Sequence, residues 1–383
     1  MTAPARDHPA QDDLAALGAA ATWPEIRQQP DAWRDVARVA QEDSARVRAF
    51  LDPLLAQPQL RIVLTGAGTS AFAGQVLAPA LARTLRRRVD AVPTTDIVSN
   101  PREVFAEDVP TLLVSFARSG DSPESLAATE LATRCLGSVA QLVITSNPEG
   151  RLATDHARTW SSLVLLTPAG TNDRGFAMTS SFTSMLLTAW LVLTDVGDPT
   201  ALADRLATAA EQVLSGADRA AALAARGYDR IVYLGSGALG GLAREAALKL
   251  LELTAGEVVS YFDTALGFRH GPKAVLRAGT LAVVFHSNDP YTRRYDEDIT
   301  AELRRALSPE DVLVVAAEDD GEGWCVGDLA GMDDALLALP YVVVAQLLAL
   351  QFSLQLGRTP DNPFPEGEVN RVVQGVTVYP LPA

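Results

Sequence analysis

Glu245, Lys249 and Glu252 lie on one helical pattern, Gly240-Gly-Leu-Ala-Arg-Glu-Ala-Ala-Leu-Lys-Leu-Leu-Glu-Leu253. At about 100° per residue they share a stripe roughly 60° wide, while Leu242, Ala243, Ala246, Leu250 and Leu253 cover the opposite side. On spacing alone, this also describes a solvated face carrying an i,i+4 Glu-to-Lys pair. Leu248 and Leu251 flank the stripe, however, and leave little of the helix suited to full exposure. Charges on a mostly buried helix point to chemistry. A carboxylate such as Glu252 in a semi-apolar cleft can be tuned into a proton-shuttling base, with Lys249 restraining the shift.

Of the four histidines (His8, His156, His270 and His286), only His270 sits in a tight glycine-proline turn, Gly267-Phe-Arg-His-Gly-Pro-Lys273. Such a turn can fix the angle of an imidazole, though a loop histidine is also a common structural residue. No second histidine or cysteine lies near it in sequence, so metal ligation is disfavoured.

Two further turns suit an anion. Gly66-Ala-Gly-Thr-Ser70 follows an apolar run and opens an Ala/Leu-rich helix. Gly66 and Gly68 there permit close backbone approach, and Thr69 and Ser70 offer hydroxyls beside a helix N-terminus. The same turn also describes simple packing of a helix on a sheet, and Ala71 and the missing acidic residue depart from the dinucleotide fingerprint. In Ser115-Phe-Ala-Arg-Ser-Gly-Asp-Ser-Pro-Glu-Ser125, Ser122, Pro123 and Glu124 read as N-cap, first-turn proline and first-turn acid. Capping accounts for Ser122, whereas Arg118, Ser119 and Gly120 crowded beside it favour a held anion.

These turns need strands behind them, and the strands recur. Arg61-Ile-Val-Leu-Thr-Gly-Ala-Gly-Thr69 is matched by Arg230-Ile-Val-Tyr-Leu-Gly-Ser-Gly-Ala238, and Thr111–Ser119 by Thr280–Ser287, at a step of about 169 residues. A third pair joins Leu142–Ile144 to the run near Val312–Val315. Short continuous apolar strands alternating with helices predict parallel sheets covered on both faces, with ligands beyond the carboxyl ends of the strands. The expected map is an N-terminal helical segment over residues 1–50, a first α/β domain over 51–215 and a second over 216–383 with a C-terminal tail. The Ala-rich stretch Leu202–Arg226 is expected to be a connecting helix.

Composition bounds the rest. The 383 residues are 48% hydrophobic with a formal charge of −15, which excludes a disordered chain and disfavours nucleic acid or anionic membrane as partner. Any phosphate must therefore be held by local geometry. The two cysteines, Cys135 and Cys325, form no CxxC pair, which points to a reducing cytoplasmic setting. Met1–Leu14 lacks the pattern of an export signal, and the apolar runs around Met185–Leu193 and Val342–Leu350 are expected to be buried helices rather than spans.

Together these residues resemble the sugar isomerase (SIS) domain family in its double-domain form, from about residue 50 onward. The order of the Gly66–Ser70 turn, the Ser119–Ser122 turn, the Glu245/Lys249/Glu252 helix and the His270-Gly-Pro turn is similar to the isomerase half of glucosamine-6-phosphate synthase. Pro93–Pro101, Ser115–Gly120, Thr171-Asn-Asp-Arg-Gly-Phe-Ala-Met-Thr179 and Asn370–Thr377 resemble the AgaS branch of galactosamine-6-phosphate deaminase/isomerases, often labelled tagatose-6-phosphate ketose/aldose isomerases.

The resemblance implies two tandem three-layer α/β/α SIS domains with parallel sheets, and a homodimer with shared sites, His270 being supplied by the neighbouring subunit. It implies a sugar phosphate held by Thr69, Ser70, Ser119 and Ser122; Gly68, Arg118 and Thr179 are further candidates for binding it. Glu252 would move a proton between C1 and C2, His270 would open the ring, and Glu245 and Lys249 would orient and tune the base. No metal or organic cofactor is implied.

Departures bear on the direction of the reaction. Ala117 and Arg118 replace the serine and glutamine that begin the synthase turn, Gln374 stands where a Schiff-base lysine is expected, and the glutaminase domain and its Cys at position 2 are missing. Glutamine-dependent synthesis is thereby disfavoured, and loss of an amine from an amino-hexose 6-phosphate is the expectation. The alternatives are a non-deaminating ketose/aldose 6-phosphate isomerase and a non-catalytic phosphosugar-binding regulator.

Overall fold

A computed structural model describes residues 11–318, 323–373 and 375–382. Strands β1 (Arg61–Thr65), β2 (Val89–Ala91), β3 (Thr111–Ala117), β4 (Val139–Thr145) and β5 (Ser162–Leu166) form one all-parallel sheet ordered β2-β1-β3-β4-β5. Strands β6 (Arg230–Leu234), β7 (Val259–Asp263), β8 (Thr280–Phe285), β9 (Val312–Ala316) and β10 (Trp324–Cys325) form a second, ordered β10-β9-β8-β6-β7. Read from its other edge, the second order is the same as the first. The register recurs too: Leu64 lies opposite Val114, and Leu234 opposite Val284.

Alternation along each strand sends side chains to two apolar layers. Ile62, Leu112, Val114 and Phe116 of the first sheet, with Tyr233, Leu281, Val283 and Phe285 of the second, enter one continuous cluster. Helices Thr69–Leu85, Ser180–Leu193, Ala238–Leu253 and Asp334–Gln355 fill it, so the two halves share a core. Outside, Val63 and Leu113 meet helix Pro123–Cys135, and Val232 and Val284 meet helix Pro290–Ala306.

The 22-residue helix Asp334–Gln355 starts eight residues before the expected apolar run, where Asp333 caps it through the Ala335 amide (3.0 Å). Its length and hydropathy of 2.0 would suffice to cross a membrane, yet its apolar window is 94% buried between the sheets. The Ala-rich stretch is likewise not one helix: it divides at Gly216 into Pro199–Ser215 and Ala217–Ala224.

The N-terminal helices, Gln11–Ala16, Thr22–Arg27, Gln29–Glu42 and Ser44–Leu55, pack on the shared layer through Ile26, Trp33 and Val36. The Gln29 amide bridges two inner helices, accepting from Thr183 Oγ1 (2.9 Å) and donating to Gln346 Oε1 (2.7 Å). After Gln355 the described tail has neither helix nor strand, and Leu381 packs against the outer layer of the first sheet.

Candidate active site

β1 and β3 are neighbours, but their following helices lie on opposite faces of the sheet, Thr69–Leu85 inside and Pro123–Cys135 outside. A crevice therefore opens beyond their carboxyl ends, where both hydroxyl-rich turns sit. Gly68, at φ 54° and ψ −128°, turns the chain from β1 into its helix in a conformation closed to L side chains, and Gly237 repeats it at 57° and −125°.

The two halves use these turns differently. In the second, the protein's own carboxylates fill the corresponding place. Asp296 accepts from Ser236 Oγ and the Ser287 amide (both 3.0 Å), and Asp334 from Ser287 Oγ (2.5 Å) and the Asn288 amide (2.8 Å). Burial raises the pKa of Asp296 to about 6. In the first half the turn instead meets the ionisable stripe of the helix Ala238–Leu253.

Lys249 is the centre of that meeting. Its fully buried ammonium donates to Glu252 Oε2 (2.6 Å) and to Thr69 Oγ1 (2.9 Å), and stands 3.5 Å from Glu245 Oε1. Thr69 Oγ1 donates in turn to Glu245 Oε1 (3.4 Å). Burial alone would lower the Lys249 pKa, but the two carboxyls outweigh it and raise it. Glu245 is completely buried, its Oε2 has no hydrogen-bond partner among the described residues, and desolvation pushes its pKa up to about 8. Lys249 thus sits between two carboxyls, and burial favours the neutral form of Glu245. The Glu252 side chain alone keeps access to the crevice, at 23% exposure.

Arg118 closes the other side. Its buried guanidinium donates to the carbonyls of Arg371 (2.9 Å) and Phe176 (3.4 Å). Burial, then the neighbouring Arg371, lower its pKa to about 10, against the pull of Asp173, Glu252 and Glu25. Arg118, whose hydrogen bonds among the described residues go to backbone carbonyls, supplies positive charge locally in an otherwise acidic chain.

The remaining expected residues divide. Ser70 lies under this wall, its hydroxyl 3.9 Å from Met178 Sδ. Ser119 Oγ accepts the Asp121 amide (3.3 Å). Ser122 is the N-cap of Pro123–Cys135, accepting from the Ser125 amide (3.4 Å) and meeting Ser125 Oγ at 2.6 Å. Thr179 is buried, its amide (2.7 Å) and hydroxyl (3.3 Å) both given to Asp173. His270 stands apart on an exposed turn between two short 3-10 helices, and among the described residues no hydrogen bond joins its ring to Lys249 or Glu252. Gln374 lies outside the described residues.

Several residues that build the wall carried no marked pattern in the sequence. The Asp173 carboxylate collects the Thr179 and Ser181 amides and the Ser180 and Ser181 hydroxyls, fixing the start of helix Ser180–Leu193. The tail's Arg371 donates to the Asp173 carbonyl, and its Asp361 caps helix Thr22–Arg27 through the Ala21 (2.8 Å) and Thr22 (2.7 Å) amides. Thr171–Thr179 and Asn370–Thr377 are distinctive strings, but only the fold reveals that they touch.

The SIS domain family profile matches residues 54–195 and 226–317. The AgaS protein of Streptomyces coelicolor is 57% identical over the full length of both chains. D-galactosamine-6-phosphate deaminase AgaS of Shewanella sp. (strain ANA-3) is 44% identical, over 97% of this chain and 94% of that one. Among solved structures, tagatose-6-phosphate ketose/aldose isomerase from Escherichia coli superposes with a TM-score of 0.86 at 41% identity, covering 94% of this chain and 97% of that one.

Proposed function

The chain belongs to the SIS domain family, in its AgaS branch, and from that premise we propose that it deaminates and isomerises an amino-hexose 6-phosphate, galactosamine 6-phosphate being favoured. The observation that carries this reading is the buried Lys249, tied at once to Glu252 and to Thr69 of the anion turn. It sets a carboxylate base at a fixed remove from where a phosphate would be anchored.

In the proposed reaction His270 promotes opening of the sugar ring to the C1 aldehyde, which acidifies the C2 proton. Glu252 takes that proton as O1 gains one from solvent, giving an enolamine, and returns it to C1, so that the C2 carbon, still bearing nitrogen, becomes a protonated imine. Water adds to the imine carbon, and ammonia leaves as the C2 ketone forms. Lys249, hydrogen-bonded to Glu252, holds the base and stabilises its ionised form between transfers. Arg118, Ser119, Ser122, Thr69 and Ser70 bind the phosphate end, using remote binding to orient the reacting carbons.

Because His270 is exposed and, among the described residues, no hydrogen bond joins its ring to Glu252, we assign it to the site of a second copy in a homodimer. Exposed Leu251, Val259, Phe262 and Leu266, near that turn in sequence, support such a contact. The free cysteines support a reducing cytoplasmic setting. One sheet in each half supports the division into residues 51–215 and 216–383, after the N-terminal segment 1–50.

The test is to incubate the protein with galactosamine 6-phosphate and glucosamine 6-phosphate, assaying ammonia and ketose phosphate together. Both products from one substrate bear the proposal out; interconversion of a ketose and an aldose 6-phosphate without ammonia leaves simple isomerisation, the activity for which the Escherichia coli relative is named.

A further inference from the structure

The loop over residues 172–178 forms the wall of the crevice beside Arg118, and it is held from the N-terminal segment. Glu25, on helix Thr22–Arg27, is buried and accepts the Arg174 amide at Oε1 (2.6 Å) and the Gly175 amide at both oxygens (3.3 and 3.1 Å). A Cβ at position 175 would come within 2.8 Å of Thr22 Oγ1 and 2.9 Å of Glu25 Oε2, so any other residue there would have to displace the Thr22 hydroxyl and this carboxylate. One residue on, the Phe176 carbonyl receives Arg118, and the Phe176 ring packs 5.1 Å from Phe364 of the tail. Glu25, the loop and the Arg118 guanidinium thus form a continuous chain of contacts ending beside Glu252.

Among the described residues no cationic side chain hydrogen-bonds Glu25. Its charged surroundings are Asp173 on the loop, Asp361 on the tail and the more distant Arg118. A buried carboxyl flanked by two acids is costly, and its three amide contacts are the local compensation. General helix packing gives no account of such a group at this place.

We propose that Glu25 is a positioning residue: by gripping the Arg174 and Gly175 amides, it sets the 172–178 loop and through it the Arg118 guanidinium that faces the sugar phosphate. The proposal rests on the phosphosugar reading of the crevice. Since Arg118 would meet substrate before and during reaction alike, its displacement should weaken ground-state and transition-state binding equally.

The experiment measures kcat and KM for ammonia release in the wild type, Glu25→Gln, Gly175→Ala, Arg118→Gln and the Glu25→Gln/Arg118→Gln double variant, with melting temperature alongside. Glu25→Gln keeps one acceptor oxygen and replaces the other by a donor facing an amide. It is expected to raise KM about fivefold to tenfold with kcat within about twofold. Gly175→Ala attacks the same contact from the loop side and should match it, which keeps the test decisive if one variant folds poorly. In the Arg118→Gln background the Glu25→Gln effect should shrink below about twofold.

An unchanged KM in folded Glu25→Gln and Gly175→Ala, or an equal KM rise with and without Arg118, would overturn the proposal. If the wild type releases no ammonia, the functional reading fails by itself. The positioning role is then decided by the dissociation constants of tagatose 6-phosphate and fructose 6-phosphate for the same proteins, where the same pattern supports it and absence of binding to the wild type overturns it.

Discussion

Thr69 is an acceptor for a buried ammonium and a donor to a buried carboxyl in one hydroxyl. Removing it should strand Lys249 short of a partner, and a buried group left unsatisfied costs about 1–3 kcal/mol. Thr69→Val should therefore unfold at lower urea concentration and lose activity, while Thr69→Ser, which keeps the hydroxyl, should retain both stability and turnover. Glu245 makes a different prediction. Burial pushes its carboxyl up to about 8, toward the protonated form that Glu245→Gln copies. Equilibrium unfolding of Glu245→Gln at pH 7 should fall within about 1 kcal/mol of wild type, whereas an ionised Glu245 paired with Lys249 would make the loss larger.

The hydroxyl turns carry their predictions at the level of the element. Ser122 caps the helix after β3, so Ser122→Ala should cost about 1 kcal/mol of stability in a denaturant titration. If it also meets the phosphate, KM should rise with kcat little changed; a stability loss with KM unmoved would confine Ser122 to capping. The strands, both turns and the ionisable stripe were legible in the sequence because each is a local pattern: apolar runs, capping residues, a 3.6-residue period. Contacts between distant loops have no such period. Arg118 meets Phe176 and Arg371, and Glu25 meets Gly175, through backbone groups that every residue owns, so no side-chain type marks them in advance. The split at Gly216 and the extra turns of Asp334–Gln355 were missed for a related reason, since tertiary packing overrides propensity at helix ends.

For the whole molecule, the buried acids set a direction of pH dependence. Glu25 is raised from 4.5 to about 7 by burial and by Asp173, Glu245 from 4.5 to about 8 and Asp296 from 3.8 to about 6, chiefly by burial. Between each pair of values the folded chain binds more protons than the unfolded one, so these groups make stability fall as pH rises from about 4 to about 8. Measured by urea unfolding, the slope of stability against pH between about pH 5 and 8 should be less negative in a Glu25→Gln/Glu245→Gln variant than in wild type; an unaltered slope there would mean that neither acid holds its proton. The proposed dimer makes a separate prediction. Glu252→Gln and His270→Ala lesions lie on different chains of one site, so refolding equimolar mixtures should restore about a quarter of wild-type activity through mixed dimers. Persistent inactivity of the mixture, despite exchange of subunits, would place both residues in one chain's site.

The most direct measurement compares wild type with Glu252→Gln for ammonia and ketose phosphate released from galactosamine 6-phosphate, together with binding of tagatose 6-phosphate. With the base removed and its hydrogen bond to Lys249 kept in kind, turnover should fall at least about a thousandfold while the ligand binds within a few-fold of wild type. Turnover within a few-fold of wild type would contradict the assignment of proton transfer to Glu252, and with it the account of the Lys249 centre.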